Sequence, residues 1–188
     1  MYNIPSKSVD ILRRMINRKI IRMVSATPQE LEMYTKDAKP NEMFSHNALQ
    51  FYVELEDNST ISFVYLGHQH RSIGICLTSH FPTPAEMAED MHASSPISLY
   101  EASDLRYSNS FFKNFINTTI TKIEIMDAHD IGLYHKDHNE RGIRITNNNK
   151  DSFIIGYNLK LNDKPSGLAI IEISNFTDYK KIFTFRDI

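Results

Sequence analysis

The sequence predicts an α+β protein of mainly antiparallel sheet, built as a tandem duplication of a helix-plus-β-meander unit. Three observations lead there. Residues 12–23 (LRRMINRKIIRM) and 112–123 (FKNFINTTITKI) bring large apolar, basic and Ile-Asn positions into register, the self-similarity at fixed spacing that marks a repeated unit. In both stretches the paired apolar residues, Ile11, Leu12, Met15 and Ile16, then Phe111, Phe112, Phe115 and Ile116, form one helical stripe, and an Asn ends it before a β-branched run. Behind each stripe come short segments that alternate apolar and polar residues, separated by turn-forming Asn, Asp and Ser.

Taken in order, Pro5 with Ser6 and Ser8 opens a helix that runs to Ile16, and Ile20 to Val24 reads as a strand. Thr27-Pro28-Gln29-Glu30 has the spacing of a capping box with Pro at the first helical position, which predicts a short helix over Leu31 to Tyr34. Polar residues Lys36 to Asn47, with Pro40 among them, read as a loop. Leu49, Phe51, Val53 and Leu55 then alternate with Gln50, Tyr52, Glu54 and Glu56, a strand with one wet face. Asp57-Asn58-Ser59 turns the chain into a second strand over Ile61 to Tyr65, and Ser72 to Leu77 completes a meander.

The segment from Ser79 to Ser108 holds Pro82, Pro84 and Pro96 and reads as a linker. Within it Thr83-Pro84-Ala85-Glu86 is a second capping box opening a short helix. The second unit follows: a helix to Ile116, a strand from Thr119 to Ile125, a loop from Asp127 to Glu140, and strands around Ile143, Phe153 to Tyr157 and Gly167 to Ile173. The segment Lys181 to Phe185 can add one more. The expected organisation is a first repeat at 1–78, a partly helical linker at 79–108 and a second repeat at 109–188, packed together, with Ile16 and Ile116 in equivalent buried positions.

With 188 residues, 41% of them hydrophobic, 23% charged and a net charge of −2, the chain has the composition of a soluble globular protein able to bury an ordinary core. So small a charge argues against a dedicated nucleic-acid binder. Lys7, Arg13, Arg14, Arg18, Lys19 and Arg22 cluster early, but no aromatic side chains are interleaved with them as a stacking platform needs. Direct nucleic-acid binding is therefore not expected. The single Cys76 lies in the apolar run Ile73-Gly74-Ile75-Cys76-Leu77, where a small core residue is the expected role. Without an apolar leader near Met1 or any membrane-length apolar run, the reading is cytoplasmic, with no membrane contact.

No phosphate-cradling glycine loop, nucleophile elbow, HExxH or CxxC occurs, so nothing in the sequence supports an enzyme, and no cofactor is expected. Histidines gather at His68-Gln69-His70 and at His129, Asp130, His135, Asp137 and His138. Imidazoles with carboxylates suit zinc or iron, yet these spacings match no established ligand signature, so no metal site is expected. The loop that carries the second group is long enough to suggest an interaction surface. Carboxylates gather in the middle of the chain, at Glu86, Glu89, Asp90, Glu101 and Asp104. A negative surface there would steer a basic partner.

In its size, near-neutral charge, Ile- and Asn-rich duplicated α+β plan and lack of a catalytic motif, the chain resembles immunity proteins of bacterial contact-dependent and polymorphic toxin systems. The resemblance implies a non-enzymatic protein that binds a cognate toxin domain, such as a nuclease, and occludes its active site. It carries over no functional residue. Glu86, Glu89, Asp90, Glu101 and Asp104, together with His129, Asp130, His135, Asp137 and His138, are the candidate partner-binding residues from local density alone. The alternatives are a metal-dependent enzyme using the His129 to His138 loop and an adaptor or assembly protein that pairs through its sheet edges.

Overall fold

Among the described residues, ten strands form two five-stranded antiparallel sheets with the same strand order. The computed structural model describes residues 1–30, 39–45, 49–66, 72–128, 140–157, 168–176 and 183–188. The first sheet holds β1 (Ile20–Pro28), β2 (Gln50–Leu55), β3 (Thr60–Tyr65), β4 (Ile73–Thr78) and β5 (Ile97–Glu101) in the order β4-β3-β2-β1-β5. The second holds β6 (Ile120–Ala128), β7 (Glu140–Asn147), β8 (Ser152–Tyr157), β9 (Leu168–Glu172) and β10 (Phe183–Asp187) in the order β9-β8-β7-β6-β10. Each is a four-strand meander whose fifth strand returns to the free side of the first. A short helix leads into each sheet: α1 (Val9–Met15) precedes β1 and α3 (Ser110–Phe115) precedes β6, while α2 (Pro84–Asp90) lies between β4 and β5. The class is α+β with mainly antiparallel sheet, as the period-two alternation predicts.

The helix-to-strand junctions match in detail. Ile16 and Ile116 end their helices in extended backbone, and Asn17 and Asn117 follow with φ of 65° and 66°. Asn reaches this left-handed region at less cost than most residues, which is why an Asn can stop the helix and reverse the chain here. Lys19 and Thr119 then form an antiparallel bridge between the two sheets. Both leading strands slip register one residue after the junction, between Ile20 and Arg22 and between Ile120 and Lys122.

Alternation along each strand sends one set of side chains inward. Met23, Phe51 and Phe63 from the first sheet meet Ile123, Ile145 and Phe153 from the second, with Leu12 and Met15 of α1 and Phe112 and Phe115 of α3, in one shared core. Phe153 is central: its ring lies edge-on to Phe51, Phe112 and Phe115 at centroid distances of 6.3, 6.0 and 4.8 Å. At the end of β3 and β8, Tyr65 and Tyr157 stack with centroids 4.7 Å apart. The outer faces are covered separately. Met126, Ile154, Ala169 and Ile171 pack with Phe176 outside the second sheet. Ala26 and Tyr52 pack with Met87 of α2 outside the first.

Several expectations change. The 79–108 segment holds α2 as its capping box predicts, but it also holds β5, which pairs with β1 from Val24↔Glu101 to Pro28↔Ile97. It completes the first sheet rather than merely linking two units. Thr27 and Pro28 extend β1, Gln29 and Glu30 follow in a 3-10 turn, and Gln29 N–H donates to the Pro96 carbonyl at 3.0 Å; the short helix expected over Leu31 to Tyr34 lies outside the described residues. Glu30 instead accepts from Ser94 N–H and Ser94 hydroxyl at 3.2 and 2.9 Å, because β5 holds that segment alongside. Ile16 and Ile116 are equivalent but only half-buried; the fully buried pairs are Leu12 with Phe112 and Met15 with Phe115. Cys76 sits half-buried rather than in the core.

Candidate functional site

The first sheet's outer face is not the wet surface that alternation in β2 suggests. Gln50 and Tyr52 are 3% and 1% exposed, covered from two directions. From one side, Asn3 and Ile75 exchange backbone hydrogen bonds at 3.1 and 2.8 Å, adding residue 3 to the edge of β4. That bridge lays Tyr2 across the sheet. Gly74 beneath permits it, since a β-carbon there would lie 3.0 Å from the Tyr2 Cβ and 2.6 Å from Leu66 Cδ2.

From the other side comes α2. Thr83 hydroxyl accepts from Glu86 N–H at 3.3 Å while Glu86 Oε2 accepts from Thr83 N–H at 2.7 Å, so each satisfies a donor the helix start leaves free. Pro84 occupies the first turn, where its missing N–H costs nothing. Met87 buries against Tyr52 and Ala26, and Met91 and Phe81 pack beside it. The helical period then puts Glu86, Glu89 and Asp90 on the exposed side.

Between helix and sheet lies a cleft of about 590 Å³. Tyr2, Tyr52, Ser62 and Thr78 line it from the sheet side, and Glu86, Glu89 and Asp90 from the helix. His80, Pro82 and His92 complete its wall, which among the described residues holds neither Lys nor Arg. Tyr2 hydroxyl donates to Asp90 Oδ2 at 2.9 Å and accepts from Ser62 Oγ at 3.3 Å and Gln50 Nε2 at 3.4 Å. Tyr52 hydroxyl donates to Gln50 Oε1. Burial pushes both phenols well above their ordinary range, with the Asp90 carboxylate adding to the effect, so they remain neutral donors. Glu86 is held below the usual carboxylate range by the Thr83 N–H, the Thr83 hydroxyl and His80, whose Nε2 lies 3.2 Å away. The cleft is thus negative, with a floor of tyrosine rings and hydroxyls.

The five middle carboxylates do not act as one patch. Glu86, Glu89 and Asp90 converge on the cleft. Glu101 is engaged by Arg22, whose Nε donates at 3.1 Å and whose guanidinium lies 4.1 Å over the Phe81 ring. Asp104 accepts from Arg106 Nε at 3.0 Å and Nη2 at 2.6 Å, which lowers its pKa. His68, His70, His129, Asp130, His135, Asp137 and His138 lie outside the described residues. Among the described residues no three His, Cys, Asp or Glu side chains come together to hold a metal ion.

On the second sheet two buried carboxylates are already committed. Glu124 accepts from Lys122 Nζ at 2.9 Å and Arg144 Nε at 2.6 Å. Glu140 binds Arg186 and accepts from Ser6 N–H at 2.9 Å. A buried carboxylate held by cations in this way stabilises its surroundings only while the partners stay. These pairs bind the sheet internally.

Comparison with models of known protein families, with curated proteins and with solved structures finds no match to the chain. Among the described residues no helix is long and apolar enough to cross a membrane.

Proposed function

We propose that the protein is a non-enzymatic binding protein, an immunity protein that neutralises a cognate bacterial toxin domain by covering its active site. The observation that carries this reading is the acidic cleft: three carboxylates of α2, a tyrosine-lined floor and no cation in the wall. Toxin domains that cleave nucleic acids must present basic side chains to phosphate. A preformed acidic concavity offers such a surface electrostatic steering and charge complementarity. Glu86, Glu89 and Asp90 are the contacts in this reading, whereas Glu101 and Asp104 are paired with Arg22 and Arg106. The protein would act in the cytoplasm. The matching strand order and junctions of the two sheets support descent from a tandem duplication, with the cleft belonging to the first copy.

The test is neutralisation. The protein is mixed with the purified toxin domain encoded beside its gene, and the residual nuclease activity is measured. Stoichiometric loss of activity with a stable complex is expected. A toxin domain that stays fully active in the presence of excess protein contradicts the proposal.

A further inference from the structure

A second cavity of about 360 Å³ adjoins the acidic cleft, and Tyr2 and Asp90 line both. Leu49, Val64, Tyr65, Leu66 and Met91 line this second arm, so it is predominantly apolar. Asp90 stands where the arms join. Its Oδ2 receives the Tyr2 hydroxyl, and no partner for Oδ1 is found among the described residues. One end of the groove therefore suits a methylene chain and the other a positive charge.

We propose that the joined groove is a receptor for an alkylammonium group. The stem lies against Val64, Leu66 and Met91, and the ammonium meets the free oxygen of Asp90, with Glu86 and Glu89 beyond it. Burying methylenes favours binding, and a charge-assisted hydrogen bond to carboxylate is about twice as strong as a neutral one. The Tyr2 ring adds an attractive face for a cation. Anions are repelled, and a neutral chain of the same length leaves Asp90 without its counter-charge, so selection comes from both ends of the ligand. The chemistry has two sources: a lysine side chain of a protein partner or a free aliphatic diamine. The first deepens the proposed function and rests on it.

The test uses the full chain and three probes, cadaverine, Nα-acetyl-lysine methylamide and pentanol, with binding followed by NMR titration. Both amines are expected to bind, and pentanol is not. Asp90→Asn should weaken the amines by about tenfold or more, and Glu89→Gln, at an exposed position without a partner among the described residues, should weaken them with the thermal midpoint unchanged. Equal affinity for the two amines assigns the site to a lysine side chain. A diamine preference of about tenfold assigns it to a free diamine. Failure of both amines to bind, equal binding of pentanol, or amine affinity that neither substitution changes overturns the inference. A protein that binds no amine yet neutralises the toxin domain loses this inference alone, and one that binds amines through Asp90 but leaves the toxin active loses only the proposed function.

Discussion

Asn17 and Asn117 donate their backbone N–H groups to the carbonyls of Ile120 and Ile20, each at 2.8 Å. The exchange is reciprocal, as between the copies of a two-fold symmetric dimer, but here both partners belong to one chain. Ile20 N–H to the Thr118 carbonyl at 3.0 Å and Ile120 N–H to the Arg18 carbonyl at 2.9 Å repeat it one step further along. The junctions that start the two sheets also tie them together.

Both asparagines must hold positive φ for those bonds to form. Replacing Asn17 or Asn117 by Ala is expected to cost about 1–2 kcal/mol, the penalty for an L side chain in the left-handed region. Gly at either position should be close to neutral because it has no β-carbon. Urea denaturation of the four variants measures this, and Ala variants as stable as the Gly ones would mean the junction does not rely on that conformation.

Phe153 touches rings from the opposing sheet and from α3, so its removal leaves a cavity that no single element can close. Phe153→Ala should cost about 3–5 kcal/mol. Ile116→Ala, at a half-buried site, should cost less than the 2–5 kcal/mol or so of a fully buried branched residue. Equal losses at both positions would contradict this placement of the core.

Tyr2 and Tyr52 have pKa values raised above the ordinary 10.0. The folded protein keeps these protons at a pH where the unfolded chain loses them, so their contribution is fully present below pH 10 and is lost as the pH rises beyond it. Stability should fall on the alkaline side, and Tyr2→Phe and Tyr52→Phe should flatten that fall. Denaturation followed across the alkaline range provides the check, and identical slopes in wild type and both variants would show that neither phenol is linked to folding.

The parts of the fold that are legible in the sequence are those specified locally. Alternation in β2 and β3 and the Asp57-Asn58-Ser59 turn predict their hairpin, and Thr83 with Glu86 predicts α2. β5 is hidden because Ile97 to Glu101 follows three prolines and becomes a strand only through the second edge of β1. The same edge turns Thr27 and Pro28, which fit a capping pattern, into strand residues. Its counterpart β10 is legible in the apolar alternation of Lys181 to Phe185, whereas 79–108 reads only as a partly helical linker. In the cleft, the density of Glu86, Glu89 and Asp90 is a local signal. Tyr2 has none, since it meets Asp90 across 88 residues of sequence. Gln50 and Tyr52 look like wet-face positions, because the cover that Phe81, Met87 and Met91 provide comes from outside β2.

The central claim is that the α2 carboxylates meet a basic toxin domain, and the association rate against ionic strength tests it most directly. Exposed charges steer encounter while contributing little to folding. Glu89→Lys with Asp90→Lys should slow association by about tenfold or more at low salt, where steering raises on-rates by 10-fold to 1000-fold or so. The same variant should flatten the salt dependence, and Glu89→Lys alone, at an exposed position without a partner among the described residues, should slow association with the thermal midpoint nearly unchanged. Wild-type association kinetics in the double variant, with the complex still forming, would contradict the claim and place the binding surface elsewhere on the molecule.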